Sequence, residues 1–256
     1  MSDAVTLTLI GGPTLLVEIA GLRLLTDPTF DAPGSYQGTG IVLTKLTEPA
    51  LRVEALQPID AVLLSHDQHF DNLDHAGRAM LPQARHVLTT QAGAARLGGN
   101  ATGLAPWESI TLPGADGRVL QVTAVPARHG PVGIEPISGD VVGFVVQGSG
   151  GPAVYISGDT VWYEGVAEVA KRFDIAVAIL FTGSAQPRGA FHMTMDSNDA
   201  IEAAHAFGTA TIVAVHNEGW EHFVQSQDDL RNAFAVVGLG ERLHMLQKGV
   251  AATLKV

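Results

Sequence analysis

Four apolar runs in this 256-residue chain each stop at a side chain able to bind a metal ion or carry a proton. Val62-Leu63-Leu64-Ser65 runs into His66. Residues 122–125 lead, through Pro126-Ala127-Arg128, to His129. Tyr155-Ile156-Ser157-Gly158 ends at Asp159, and residues 212–215 end at His216. Consecutive apolar residues, without alternation, mark strands covered on both faces. Strands of that kind belong to layered α/β folds, where their C-terminal ends gather on one edge and ligands bind there.

The order of elements extends this reading. Strands are expected at 5–10, 14–19 and 22–26, with Gly11, Gly12 and Gly21 marking the turns. A turn-rich loop follows at 27–40. Further strands are expected at 59–65, 86–90, 119–125, 141–147, 153–157, 175–182, 211–216 and 250–255. Helices are expected at 74–80, 91–97, 162–171, 194–207 and 227–237. Each half begins with strands and then alternates strand with helix. Two such halves imply an αββα sandwich, two mixed sheets covered by helices on both outer faces. No linker or charge block divides the chain, so residues 1–256 read as one domain.

Composition narrows the chemistry. A net charge of −11 argues against a nucleic-acid backbone or an anionic lipid surface as partner. No apolar run reaches the roughly 18 residues of a membrane span, and the N-terminus lacks the basic and apolar regions of a signal peptide. The expectation is a cytoplasmic protein acting on a small-molecule substrate, with homo-oligomerisation left open. The chain has no cysteine, so a metal site must use histidine and carboxylate, a donor set suited to Zn²⁺, Mn²⁺ or Fe.

The densest stretch is LLSHDQHFDNLD at 63–74, with His66, His69, three aspartates, an asparagine and a glutamine on one strand end. Together with PARHGP around His129, SGDT around Asp159 and VHNEGWEHF around His216, taken in order, it resembles the metallo-β-lactamase superfamily of hydrolases. The opening LIGGPTLLVEIAGLRLLTDPTF is similar to the branch holding the ascorbate-6-phosphate lactonase-like proteins. More distantly it is similar to the N-acylphosphatidylethanolamine-hydrolysing phospholipase D group.

The resemblance implies roles. His66, His69 and His129 would form a first metal site. Asp71, Asp159 and His216 would form a second, with Asp159 bridging the two. One or two ions would bind, zinc first, with manganese or iron as alternatives. Asp71 would also orient an attacking metal-bound hydroxide and handle its proton, and His192 would stand beside the substrate and stabilise a developing oxyanion. The implied activity is hydrolysis of a small lactone, ester, amide or phosphoester. The alternatives are a phosphodiesterase for a lipid-like or nucleotide substrate, which an apolar groove at the pocket mouth would favour, and a metal-poor binding protein without turnover.

Two departures stand out. The family's loop histidines are one residue apart, whereas Asp67 and Gln68 separate His66 from His69. Either the loop holds one inserted residue or Asp67 takes the first position; His66 is favoured because it directly follows the strand. The family's final loop histidine falls on Asn72, which leaves the second site to be weak, absent, or helped by Asp74 or His75. Structural readings compete elsewhere. Asp159 suits a turn or helix cap, His86, His205 and His244 read as structural, and His222 suits the pocket mouth beside Trp220. Arg128 and Arg188 are candidates for holding an anionic group.

Overall fold

The computed structural model describes residues 4–38, 40–114, 117–148 and 151–256. Among them two sheets of seven strands face one another. The first sheet is built from β1 (Ala4–Gly11), β2 (Thr14–Ile19), β3 (Leu22–Thr26), β6 (Ala61–Leu63), β7 (His86–Thr90) and β8 (Ala101–Leu104), with β16 (Ala251–Lys255) outside β1. The second holds β9 (Ser109–Pro113), β10 (Val119–Pro126), β11 (Val142–Gly148), β12 (Ala153–Ile156), β13 (Ile175–Phe181), β14 (Thr211–Val215) and β15 (Leu243–His244) in sequence order across the sheet. Each sheet is mixed, with antiparallel pairs on one side and parallel pairs on the other.

The apolar runs explain the layering. In β13, Val177, Ile179 and Phe181 enter the core between the sheets, while Ala178 and Leu180 enter a second core under the helices. In β6, Ala61 and Leu63 face the central core and Val62 faces the opposite outer layer. Both faces of each strand are covered, so both must be apolar. The second sheet is covered by α5 (Glu164–Arg172), α6 (Ser197–Ala206) and α7 (Gln227–Val236). Short α1 (Val53–Leu56) and α2 (His75–Met80) cover the first, and α3 (Gln91–Leu97) packs on β7 and β8. This is the αββα sandwich expected from the sequence.

The structure adds elements that the sequence reading passes over. The loop at 27–40 contains β4 (Gly34–Gln37), which pairs with β5 (Val42–Lys45) in a separate hairpin. The hairpin is clamped by a buried ion pair, Lys45 Nζ to Asp74 at 3.0 Å, and by a bridge from Lys45 to Trp220. Short α4 (Glu135–Ser138) lies between β10 and β11. Strand β8 and edge strands β9 and β15 were also unassigned. No helix among the described residues is long and apolar enough to cross a membrane.

Candidate metal centre

The four chemistry-bearing strand ends meet as expected. β6 delivers His66, the turn after it delivers His69 and Asp71, β10 leads to His129, β12 to Asp159 and β14 to His216. Their donor atoms form two groups, His66/His69/His129 and Asp71/Asp159/His216, each with its atoms within 4.8 Å of one another. His66 Nε2 lies 2.8 Å from His69 Nδ1, which lies 3.2 Å from His129 Nε2. Asp159 spans the groups: Oδ2 is 3.5 Å from His129 Nε2, and Oδ1 is 3.3 Å from His216 Nδ1. His216 Nε2 lies 3.5 Å from Asp71 Oδ2.

Local backbone makes this convergence possible. Gly158 adopts φ +59, and a Cβ there would stand 2.8 Å from Ser65 Cβ, so the Asp159 turn passes close over the His66 turn only as glycine. His216 itself sits at φ +56, an uncommon conformation for a residue with a side chain and one that collects at functional sites. Its backbone N–H donates to the Gly12 carbonyl at 2.9 Å, which holds that conformation.

Neighbours fix the imidazoles. His129 Nδ1 is 2.9 Å from the Met193 carbonyl, which only accepts, so Nδ1 carries the proton and Nε2 turns a bare lone pair to the cluster. His66 Nδ1 meets Ser65 Oγ at 2.9 Å. Burial, reinforced by neighbouring imidazoles, holds His66 well below the usual histidine range and brings His69 down to about 4. Both are therefore neutral, the form that ligates a metal. Burial alone would raise the Asp71 carboxyl, but His222 and His216 outweigh it and keep Asp71 ionised. For His216, burial opposes the charged ring, and Asp159 and Asp71 overcome it, so its affinity for a proton rises.

These residues fit a divalent cation. Zinc bonds of about 2.0–2.2 Å in tetrahedral geometry place neighbouring donors roughly 3.3 Å apart, close to the separations seen here. Asp159 Oδ2 and both ring nitrogens of His216 are buried without a hydrogen-bond partner. Such groups are costly unless something pairs them, and a cation facing them would do so.

The alternatives left open by the loop spacing resolve geometrically. Asp67 is buried in an ion pair with Arg96, whose Nε lies 3.0 Å from Asp67 Oδ2, while Arg78 donates to its carbonyl at 2.8 Å. Asp74 caps α2 by accepting from Gly77 N at 2.8 Å and also pairs with Lys45. His75 is exposed against Asp31. Asn72 is buried, and its Nδ2 donates to Asp159 Oδ1 at 3.2 Å. The helix-cap reading of Asp159 fails, because α5 begins at Glu164 after an N-cap Tyr163 that makes no side-chain capping bond.

His192 departs from expectation. Its Nε2 lies 3.1 Å from Asp199 and its Nδ1 3.8 Å from Asp196, and it does not line the cavity above the cluster. The two nitrogens face separate carboxylates at the start of α6, where Asp196 caps the helix. His192 thus ties the loop before α6 to that helix, with its ring nitrogens turned to these carboxylates and not to the cavity. Beside His69 and His129, the imidazole that does reach the cavity is His222, with Nε2 2.9 Å from Asp71 Oδ2. Asp27 was passed over as the start of a loop. It is buried, its carboxylate accepts from Ser65 N at 2.7 Å, and burial together with Asp159 pushes it well above the usual carboxylate range. A charged residue closing the apolar strand β3 was the available signal.

A small cavity of about 20 Å³ lies against His69, Asp71, His129 and His222, with Leu43, Met193 and Arg188 among its walls. An adjoining chamber of about 140 Å³ is lined by Ile41, Leu43, Phe70 and Ile137, with Gln68, His69 and Arg188 as its polar groups. A larger cavity of about 240 Å³ meets the cluster only at His129, with Arg128 on its wall.

Comparison with known proteins shows which family the chain resembles. The model of a family described as "Beta-lactamase superfamily domain" matches residues 22–217. A UPF0173 metal-dependent hydrolase of Methanosphaerula palustris is 30% identical over 68% of this chain and 75% of its own length. Among solved structures, an isothiocyanate hydrolase from Delia radicum gut bacteria has a TM-score of 0.83 at 25% identity, covering 98% of this chain and 99% of its own. A possible metal-dependent hydrolase from Veillonella parvula has a TM-score of 0.85 at 22% identity, covering 99% and 100%.

Proposed function

Because the chain belongs to the metallo-β-lactamase superfamily, among the UPF0173 metal-dependent hydrolases, we propose that it hydrolyses a small molecule at an electrophilic carbonyl or phosphoryl centre. Lactones, esters, amides and phosphoesters are the substrate classes. The observation that carries this reading is the pair of donor groups, His66/His69/His129 and Asp71/Asp159/His216, facing one another beneath a small cavity.

A divalent cation, zinc first and manganese or iron by the same donors, would be held by these residues and would supply Lewis acidity and a more acidic water there. The neutral imidazoles of His66 and His69 would hold it without cancelling its charge. Asp159 links the two groups. Asp71 lines the cavity as a carboxylate, so it accepts the proton of the attacking water at Oδ and passes it toward the departing group. His129 is locked by Met193 and stays fixed throughout.

The chamber limits the substrate. At about 140 Å³ it is smaller than the roughly 300–1,000 Å³ of drug-sized pockets, which favours a compact molecule. Its apolar wall meets the condition set for a lipid-like phosphodiester, but this volume admits only a short chain. The same wall suits the organic part of an isothiocyanate, whose central carbon is also electrophilic, and the 25% identical neighbour carries that activity in its name. Isothiocyanates are therefore the second reading.

The test is a panel of lactones, esters, amides, phosphodiesters and isothiocyanates assayed before and after chelation. Turnover of at least one class, lost on chelation and restored by Zn²⁺, supports the proposal. Protein grown in metal-supplemented medium that carries well below one equivalent of metal overturns it.

A further inference from the structure

The family resemblance puts a histidine where this chain has Asn72, and Asn72 is committed elsewhere, donating to Asp159 Oδ1. Yet another imidazole in the cavity wall, that of His222, reaches Asp71 of the second donor group. We propose that His222 is the replacement: a fourth protein ligand, through Nε2, of a second cation position formed with Asp71, Asp159 and His216. This deepens the reading of the cluster as a metal centre and rests on it.

Geometry carries the argument. Asp71 Oδ2 lies 2.9 Å from His222 Nε2 and 3.5 Å from His216 Nε2. Two imidazoles therefore flank one carboxylate oxygen, at separations that bracket the roughly 3.0–3.4 Å between neighbouring donors on one ion with bonds near 2.1 Å. The His222 side chain is 9% exposed, and Nδ1 is buried without a hydrogen-bond partner. Its placement is also fixed in advance. Gln186 N donates to the His222 carbonyl at 3.0 Å, and Glu221 N donates to the Thr44 carbonyl at 3.0 Å, which docks this loop on β5. Phe223 meets the imidazole edge-on at 4.6 Å between ring centres. A ligand held in position before the ion arrives loses little freedom on binding.

The chemistry is balanced by the swap. Asn72 gives up ligation and instead holds the carboxylate that spans both groups. His222 brings a nitrogen donor, so the second group keeps two imidazoles and two carboxylates. Asparagine is a poor ligand beside imidazole for zinc-like ions, whereas histidine suits them.

The experiment compares metal uptake by the full-length wild type, His222→Ala and His222→Gln. Each is loaded with Zn²⁺, dialysed and analysed for metal content, and then loaded with Co²⁺ and read by its visible absorption. Gln keeps a donor for Asp71 but is a weak ligand, so it separates ligation from mere support of Asp71. The expected result is two equivalents in the wild type, and in both variants one tightly held equivalent with second-site affinity at least about tenfold lower. A changed Co²⁺ spectrum accompanies that loss. Two equivalents at wild-type affinity in His222→Gln overturns the assignment. A wild type that takes up only one equivalent also overturns it, while leaving the hydrolase reading standing. A wild type that takes up none overturns both.

Discussion

Asn72 Nδ2 donates to Asp159 Oδ1 at 3.2 Å, so the residue that replaces an expected histidine steers the carboxylate that spans the two donor groups. Outer partners of ligands fix orientation, and losing one typically costs about 10–100-fold in metal affinity or activity. Asn72→Ala should therefore lower second-site metal affinity by that order while the His66/His69/His129 group still binds. Competition with a chromophoric chelator measures it. An unchanged affinity would mean that Asp159 is held without Asn72.

The spacing of the loop histidines has a mechanical resolution. His66 faces the cluster while Asp67 turns to Arg96 and Arg78. Asp67→Asn should lower stability by about 1–2 kcal/mol, the range of a charge-assisted bond to a partly exposed arginine, and leave metal content unchanged. His66→Ala should do the reverse, losing metal with smaller effect on folding. Denaturant unfolding alongside metal analysis separates the two.

Gly158 holds the Asp159 turn against the His66 turn. An alanine there would adopt φ +59 and press its Cβ within 2.8 Å of both Ser65 Cβ and the Val142 carbonyl. Gly158→Ala should destabilise the protein by at least about 2 kcal/mol and reduce metal binding, since His66 and Asp159 move together. Equilibrium unfolding and metal content are the readouts.

His192 provides a pH-dependent contribution distinct from the metal centre. Its hydrogen bond to Asp199, helped by the charges of Asp199 and Asp196, raises its proton affinity above the usual histidine value. A raised value in the folded state stabilises the protein fully below the unfolded value of about 6.5, and that contribution is lost as pH rises through the folded value. The ring is 34% exposed, so solvent screening keeps the contribution below about 1 kcal/mol. The stability difference between wild type and His192→Ala should be present near about pH 5 and vanish by about pH 9. A difference that grows with pH would contradict the pairing.

What could be read in advance follows from the physics of each element. Strands such as β6, β12 and β14 are buried on both faces, so their apolar runs stand out, and each hands its chemistry to the next residues. The donor set was legible for that reason. The β4–β5 hairpin was not, because its residues are polar, half-exposed and anchored by long-range contacts such as Lys45 with Asp74. Two-residue β15 and edge strand β9 carry too little pattern to show. His192 and His222 exchanged prominence for a similar cause. Which imidazole enters the cavity depends on the partners Asp199 and Asp71, the latter 151 positions from His222 in the chain. The sequence suggests His222 for the pocket mouth beside Trp220, as found, but carries no trace of its pairing with Asp71.

The central claim is that these converging side chains hold catalytic metal. The most direct test is an anomalous-scattering map of crystals of the zinc-loaded protein, collected on both sides of the zinc absorption edge. The account predicts a peak at bonding distance, about 2.0–2.2 Å, from His66 Nε2, His69 Nδ1 and His129 Nε2, and a second touching Asp71, Asp159 and His216. No peak among these residues, in crystals where zinc binds elsewhere on the surface, would contradict it.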